Sequence, residues 1–169
     1  MNPDQAGFAE FYQASKDSCL RAVAASTGDR DAAEDLVAEA FARAWAAWRT
    51  VGRHPAPQAW VVRTALNAKV SRWRRRRRED PLPAKDVQPF GPAGAAPAEP
   101  VDRAIMAVLR RLPARQREVI ALRIFLDLDT AQTARVLGIA PGTVTAHMAR
   151  AVATLRAELS PADQQESTP

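Results

Sequence analysis

Residues 58–78 form a stretch rich in tryptophan and arginine, whose side chains are suited to binding nucleic acid. Its apolar positions recur every three or four residues, which predicts a helix with one buried and one exposed face. Unpaired bases stack on aromatic rings while guanidinium groups hold phosphates, so the exposed face predicts a contact with single-stranded nucleic acid. The side chains expected on this face are Trp60, Arg63, Asn67, Ser71, Arg74 and Arg78.

The positive charge of the chain is concentrated in the same region. The whole chain carries a net charge of +5, whereas residues 54–80 carry eight basic and two acidic groups, a net +6. The five consecutive arginines from Arg74 to Arg78 also fit a solvated helix end, or a basic tail that binds nucleic acid without sequence preference. Because five adjacent like charges repel one another, a polyanionic partner is the more economical explanation.

A helix-turn-helix pattern lies in residues 129–155. A short helix begins near Asp129, a turn follows at Gly138, and a second helix opens at Pro141. A helix that enters the major groove needs small or polar residues on its outer face, and an ordinary αα-hairpin is the alternative. Arg150 suits either a guanine edge or a phosphate, and both remain open. The outward-facing residues are Thr143, Thr145, Ala146, His147 and Arg150.

The third pattern is an acidic helix that contains residues 32–48. Asp31 and Glu34 are spaced as a capping box, which predicts the start of this helix. Asp35 and Glu39 lie four residues apart on one face, and Arg43 follows after four more. Two interpretations are equally open: a solubilising face with internal ion pairs, or a docking surface for another protein.

The elements that must position these residues are all helical. The predicted fold class is all-α, with two small helical lobes joined by a Pro-rich flexible linker and a helix-turn-helix in the second lobe. Residues 80–100 contain six prolines and two glycines without periodicity, which predicts the linker; fully extended it would span about 70 Å. The predicted boundaries are 1–79 for the first lobe, 80–100 for the linker, 101–159 for the second lobe and 160–169 for a disordered tail.

Within the lobes, four large apolar side chains are expected on buried faces. Trp45 and Trp48 continue the apolar stripe of the acidic helix, so we expect both in the core. Val70 and Trp73 fall on the inner face of the Trp/Arg-rich helix by the same spacing. Trp60, by contrast, is expected on the outer face.

The remaining composition argues against a catalytic, metal-binding or membrane protein. The single cysteine, Cys19, excludes an internal disulfide and a Cys-based zinc site, and His54 and His147 lack ligand spacing. There is no glycine-rich phosphate loop, no apolar run of 18 residues and no signal-peptide pattern. We therefore predict a cytoplasmic binding protein that is not an enzyme, uses no cofactor or metal ion and does not contact a membrane.

Four motifs occur in an order that resembles the extracytoplasmic-function (ECF) sigma factors of bacterial RNA polymerase, in an Ala- and Arg-rich style similar to actinobacterial members. They are AAEDLVAEAFARAW, PQAWVVRTALNAKVSRWRRRRR, LPARQREVIALR and LGIAPGTVTAHMARA, and the resemblance covers residues 7–158. It implies a sigma factor that binds core RNA polymerase and directs promoter-specific transcription initiation. The first lobe (region two) would capture the melted minus-ten element, and the second lobe (region four) would read the duplex minus-thirty-five element. The linker would permit an anti-sigma factor to clamp the lobes, and the sequence leaves the existence of such a partner open.

The resemblance also implies roles for individual residues. The polymerase-binding set is Asp35, Glu39, Phe41 and Arg43. The minus-ten set adds Lys69 and the turn at 51–57 to the exposed residues named above, namely Trp60, Arg63, Asn67, Ser71, Arg74 and Arg78. The minus-thirty-five set is Thr143, Thr145, Ala146, His147, Ala149 and Arg150.

Two positions depart from the family pattern. Ala38 stands where the family commonly has Gln. Docking on the polymerase is therefore expected to be weaker or to use different contacts. Residues 145–147 replace a motif with two fixed positive charges, and fewer phosphate contacts mean weaker binding with a flatter salt dependence. The alternative function is a stand-alone helix-turn-helix transcriptional regulator that binds duplex DNA, although such a protein has no evident need for the Trp/Arg-rich helix.

Overall fold

The computed structural model describes residues 2–79 and 100–160, with α1 at Pro3–Thr27, α2 at Arg30–Ala46, α3 at Trp48–Val51 and α4 at Pro57–Glu79. In the second half, α5 spans Pro100–Arg111, α6 spans Ala114–Ile120, a π-helical turn spans Ala121–Phe125, α7 spans Thr130–Leu137 and α8 spans Pro141–Leu159. These described parts contain helices and no strand, which confirms the all-α fold class. Nearly all of the predicted linker and tail lies outside the described residues.

The helices of the first lobe begin and end at local sequence signals. Asn2 and Gln5 form a capping box at the start of α1, and Gly28 ends α1 in the left-handed conformation, at φ 72°. The predicted capping box of Asp31 and Glu34 is wrong, because the cap of α2 is Asp29, whose side chain accepts a hydrogen bond from the backbone N–H of Ala32. The chain reverses within Gly28, so Asp29 is already the extended residue that a cap requires.

Helices α1, α2 and α4 pack around the core of the first lobe, which an aromatic cluster extends at one end. Trp48 packs partly buried against this core, where its ring lies 5.2 Å from that of Phe11. The predicted burial of Trp45 is wrong: it is 43% exposed, and its ring contacts only the rim of the cluster, 5.1 Å from Phe8. Helix α2 ends at Ala46, so no further turn covers Trp45.

The last two turns of α4 extend beyond the helices that cover its beginning. Val70 and Trp73, predicted on the inner face, are 45% and 53% exposed, and residues 71–78 are all exposed. Helical spacing places both residues toward the core side, but the packing partners of α4 end near Ala68. Trp60, predicted on the outer face, is instead partly buried and packs against the core.

The second lobe contains the predicted helix-turn-helix. Asp129 caps α7 in a capping box with Gln132, Gly138 ends α7 at φ 65°, and Pro141 is the first residue of α8. These three signals confirm the predicted limits of both helices. Between α6 and α7 the π-helical turn widens the backbone by one residue, which shifts the apolar register and leaves Ile124 59% exposed.

The two lobes pack against each other. Helix α1 of the first lobe contacts α5, α6 and the π-helical turn, and α4 contacts α7. A single hydrophobic cluster therefore runs through both lobes, with Val23 on one side and Leu109, Leu112 and Leu122 on the other. Within residues 2–79 and 100–160, no helix combines the length and apolarity needed to cross a membrane.

Candidate nucleic-acid interface

The exposed face of α4 presents the polar residues of the predicted minus-ten set. Arg63 and Asn67 are exposed, as are Ser71, Arg74 and Arg78, and their spacing of three or four residues aligns them along one side of the helix. Trp60 does not belong to this exposed strip, because its ring packs against the core. The face therefore offers four guanidinium and amide groups in a row, which suits phosphates and base edges more than a tryptophan platform.

Lys69, also in the predicted minus-ten set, lies at the junction with the second lobe. Burial lowers the pKa of its ammonium group, and the nearby Arg117 guanidinium lowers it further, whereas Glu118 and Asp29 act in the opposite direction. Its charged neighbours thus come from α6 as well as from the cap of α2. Lys69 is nevertheless exposed, on the side of α4 toward the second lobe and away from the strip that contains Arg63.

The guanidinium group of Arg77 lies over the ring of Trp73. The guanidinium carbon of Arg77 lies 4.4 Å from the ring centroid, a cation–π distance. Sequence reasoning placed Trp73 in the core and missed this exposed pair. The spacing of four residues between Trp73 and Arg77 is compatible with such a pair. The spacing predicts the contact only when the ring is known to be exposed.

Helix α8 presents the predicted recognition face. Thr143, Thr145, Ala149 and Arg150 are exposed, while Val144 is buried against the rest of the lobe. The Thr145 hydroxyl donates a hydrogen bond to the carbonyl of Pro141 at 3.2 Å. Its hydrogen is therefore already engaged within α8. The exposed face is thus short and carries one fixed charge, that of Arg150.

His147 and Ala146 lie at the edge of this face. Both are partly buried, although helical spacing predicted them on the outward face. The Nδ1 atom of His147 is buried and has no hydrogen-bond partner within the described residues.

The acidic helix α2 carries the predicted polymerase-binding residues. Asp35 and Arg43 are exposed on its surface. Phe41 is only 4% exposed, with ring contacts to Phe11 at 5.8 Å and to Tyr12 at 4.9 Å. Phe41 therefore supports the helix from within the core and offers no ring to a partner.

Glu39 forms the centre of a charged network between α2 and α4. Its Oε1 atom accepts from Arg43 and its Oε2 atom accepts from Arg72, each at 2.6 Å. The hydrogen bond from Arg72 is the main reason why the pKa of Glu39 lies below its usual range, and the charges of Arg43 and Arg72 add to this effect. The contact with Arg72 bridges 33 residues of sequence, and no spacing rule could have revealed it.

Comparison with known proteins identifies the family. The family description "Sigma-70 region 2" matches residues 11–79, and "Sigma-70, region 4" matches residues 102–155. The chain belongs to the sigma-70 family. Sigma factors are transcription initiation factors without enzymatic activity of their own.

Relatives narrow this assignment to the ECF group. The chain is 34% identical over 153 residues to an RNA polymerase sigma-E factor of Streptomyces coelicolor, covering 90% of this chain and 85% of the relative. It is 36% identical over 138 residues to the ECF RNA polymerase sigma factor SigL of Mycobacterium tuberculosis, covering 79% and 77%. This confirms the resemblance to actinobacterial ECF sigma factors.

Two solved structures share the arrangement of helices. The sigma factor RpoE of Bartonella quintana, in complex with the anti-sigma factor NepR, matches with a TM-score of 0.66 and 29% identity over 89% of this chain and 96% of that chain. CnrH in complex with the cytosolic domain of CnrY matches with a TM-score of 0.62 and 25% identity, over 90% and 87%. The protein is thus an ECF sigma factor that binds core RNA polymerase and promoter DNA and directs transcription initiation. A stand-alone regulator is not favoured.

Proposed function

We propose that three separate surfaces of this sigma factor bind the minus-ten element, the minus-thirty-five element and core polymerase. Residues 1–79 form region two, residues 101–159 form region four, and residues 80–100 connect them. The observation that carries this division is the contrast between α4, where residues 71–78 are exposed and include six arginines, and α8, where the exposed recognition face has one. The protein works as a binding subunit, and it acts in the cytoplasm because its polymerase and promoters are found there.

The α4 surface binds the minus-ten element. Arg63 and Asn67 lie above Arg74 and Arg78 on one exposed side, so a strand that follows the helix axis meets amide and guanidinium groups in succession. Hydrogen bonds from Asn67 to exposed base edges would supply selectivity, and the arginines would hold the phosphates. Lys69 is also exposed, and because its charged neighbours lie in α6 and at the start of α2, it contributes from the edge of this surface.

The α8 surface contacts the minus-thirty-five element. Thr143, Thr145, Ala149 and Arg150 are small or polar enough to enter the major groove. Arg150 is the residue of this face with a fixed charge, and its guanidinium can read a guanine edge or hold a phosphate. Ala146 and His147 border the same face and limit how closely the DNA backbone approaches.

The α2 surface docks on core polymerase. Asp35 is exposed on the side of α2 that also presents Arg43, and Phe41 beneath them anchors the helix to the core. Glu39 has both carboxylate oxygens engaged with arginines, so it contributes chiefly by holding α2 against α4. A partner of complementary positive charge fits this surface.

Promoter-specific transcription with purified core polymerase tests the proposal. Asp35→Arg reverses the charge at the docking surface, whereas Asp17→Arg makes the same change on the solvent-exposed side of α1. We expect Asp35→Arg to lose co-elution with core polymerase and run-off transcript, and Asp17→Arg to retain both. A wild-type chain that binds duplex promoter tightly yet never co-elutes with core polymerase would restore the alternative of a stand-alone regulator.

We also propose that an anti-sigma factor regulates this protein. The support is that RpoE, which shares its arrangement of helices, was solved in complex with the anti-sigma factor NepR, and that CnrH was likewise solved with a second protein, the cytosolic domain of CnrY. Purifying the tagged full-length chain from its host and adding the co-purified protein to the transcription assay tests this. The proposal requires that this protein suppress the run-off transcript in proportion to its amount, and a co-purified protein without such an effect contradicts it.

A further inference from the structure

Two apolar side chains are exposed near the end of α4. Trp73 is 53% exposed, and Val70, about one turn earlier, is 45% exposed. Both lie beyond Ala68, the last buried residue of α4, so neighbouring helices no longer cover them. A single exposed apolar residue needs no explanation, but an exposed aromatic ring within the most basic segment of the chain is a candidate for ligand binding.

The ring of Trp73 is already stacked on one guanidinium group. The guanidinium carbon of Arg77 lies over the ring, 4.4 Å from its centroid. Because the side chain of Trp73 is more than half exposed with this group in place, the rest of the indole surface remains open. Unlike Arg72, which pairs with Glu39, Arg77 has no ion pair within residues 2–79 and 100–160. A ring that is held in this way loses less conformational freedom when a ligand stacks on it.

The stacked pair borders the strip that contains Arg63. Arg74 directly follows Trp73 in the sequence, and Arg78 directly follows Arg77. Successive residues of an α-helix differ in direction by about 100°, so the pair and the strip lie on adjoining sides of α4. A nucleic-acid strand that follows the strip can therefore keep its phosphates on the arginines and turn one base toward the indole.

The chemistry of the pair fits an unpaired base. Every base has a flat π face that can stack on an indole ring, and the phosphates beside it accept hydrogen bonds from guanidinium groups. Residues 71–78 are exposed and include six arginines, so this segment attracts a phosphate chain. The bases of a closed duplex are stacked on one another, so the ring of Trp73 can receive a base only from a melted strand.

Accepting the proposed role of α4, we infer that Trp73 and Arg77 form a stacking site for one unpaired base of the melted promoter strand. The indole contacts the face of the base, while Arg77 holds the indole and donates to an adjacent phosphate. The stacking tolerates any base, since every base has a π face. This site therefore stabilises the melted strand, and the choice of sequence stays with Asn67.

Holoenzyme binding to a forked promoter fragment, in which one strand is unpaired across the minus-ten region, tests this site. We expect Trp73→Ala to weaken equilibrium binding about 5- to 150-fold, the effect of losing one base–aromatic stack, and Trp73→Phe to retain most of the affinity. This factor should be the same at low and high salt, because the variant removes no charge. Trp45→Ala is the matched control, because Trp45 is 43% exposed but lies on α2, outside the basic segment.

Arg77→Gln separates the charge from the ring. It removes one phosphate partner, so the slope of log K against log salt should fall in magnitude by about 0.7, the value for a single strand. A slope equal to that of the wild type would contradict the phosphate contact of Arg77.

Abasic sites, placed at one position of the unpaired strand at a time, then identify the stacked base. At one position wild type and Trp73→Ala should bind equally, because the base that stacks is missing. The stacking site is overturned if Trp73→Ala binds the intact fork like wild type, if its loss is the same at every abasic position, or if it loses co-elution with core polymerase. Wild-type holoenzyme that binds the forked fragment no more tightly than the fully paired one would instead contradict the proposed role of α4.

Discussion

Glu39 of α2 and Arg72 of α4 lie 2.6 Å apart, between Oε2 of the carboxylate and Nη2 of the guanidinium. The same carboxylate accepts from Arg43 at 2.6 Å, so one acidic side chain connects the proposed docking helix with the proposed minus-ten helix. The pair lies close to the surface, which limits its strength.

Removing the charge of Glu39 should lower the free energy of unfolding by about 0.2–1 kcal/mol, the range for solvent-exposed ion pairs. Because the folded pKa of Glu39 is depressed, its contribution is present above the unfolded value, near 4.5, and is lost as the pH falls through the folded pKa. Urea unfolding of wild type and Glu39→Gln should therefore differ at pH 7 and converge as the pH is lowered below the folded pKa. Glu10→Gln on exposed α1 surface is the control, and a difference that persists at low pH would contradict the ion-pair account.

Phe41 is buried and Trp73 is half exposed, so their truncation should lower the free energy of unfolding by different amounts. Phe41→Ala should cost about 3–5 kcal/mol because it opens a cavity between α1 and α2, whereas Trp73→Ala should cost less than about 1 kcal/mol because its ring is half exposed. Urea unfolding of the two variants checks this order. Comparable losses would mean that Trp73 has packing partners that its exposure does not indicate.

Neutralising part of the arginine run should weaken promoter opening. Arg74→Gln with Arg78→Gln removes two phosphate partners from the exposed side of α4, so the slope of log K against log salt should fall in magnitude by about 1.4. Holoenzyme binding to a promoter with a melted minus-ten region, titrated with salt, measures this slope. The control pair Arg21→Gln and Arg30→Gln removes equal charge from α1 and α2, and an equal change there would make the effect one of net charge alone.

Arg150 should carry measurable discrimination in region four. Arg150→Ala should cost about 1–3 kcal/mol in holoenzyme binding to a promoter that needs the minus-thirty-five element. Arg156→Ala, on the exposed last turn of α8, is the matched control. If Arg150→Ala weakens all sequences equally, Arg150 holds a phosphate; if neither variant has an effect, the assignment of this face fails.

Two glycines in the left-handed conformation provide a direct test of the packing at Arg110. Alanine at either Gly28 or Gly138 costs about 1–2 kcal/mol in backbone strain, because φ is +72° and +65°. A new Cβ meets Arg110 at Gly28 and nothing within 4 Å at Gly138. Gly28→Ala should therefore lower the free energy of unfolding further than Gly138→Ala does, and Arg110→Ala should remove most of that excess. Equal losses of unfolding free energy at both sites would show that the Arg110 side chain moves aside without cost.

Local sequence determined the helices, their caps and the two main functional patterns. The capping box at Asp129, the left-handed turn at Gly138 and the first-turn proline at Pro141 act within four residues, so a sequence pattern is sufficient to locate α7 and α8. The polar strip of Arg63 and Asn67 follows from helical periodicity in the same way. These signals depend on the 3.6-residue repeat of a helix and need no knowledge of its neighbours.

Only the tertiary structure decided how far along each helix the neighbouring helices cover it, and which residues distant in sequence form contacts. Periodicity identifies a face but not how far along the helix that face stays covered, so Trp45 and Trp73 are exposed where burial was expected, and Trp60 is packed where exposure was expected. The contacts of Arg72 with Glu39, and of Arg117 with the end of α1, join residues 33 and 91 positions apart. Such contacts arise from the crossing of helices in space, and no spacing in the sequence encodes them.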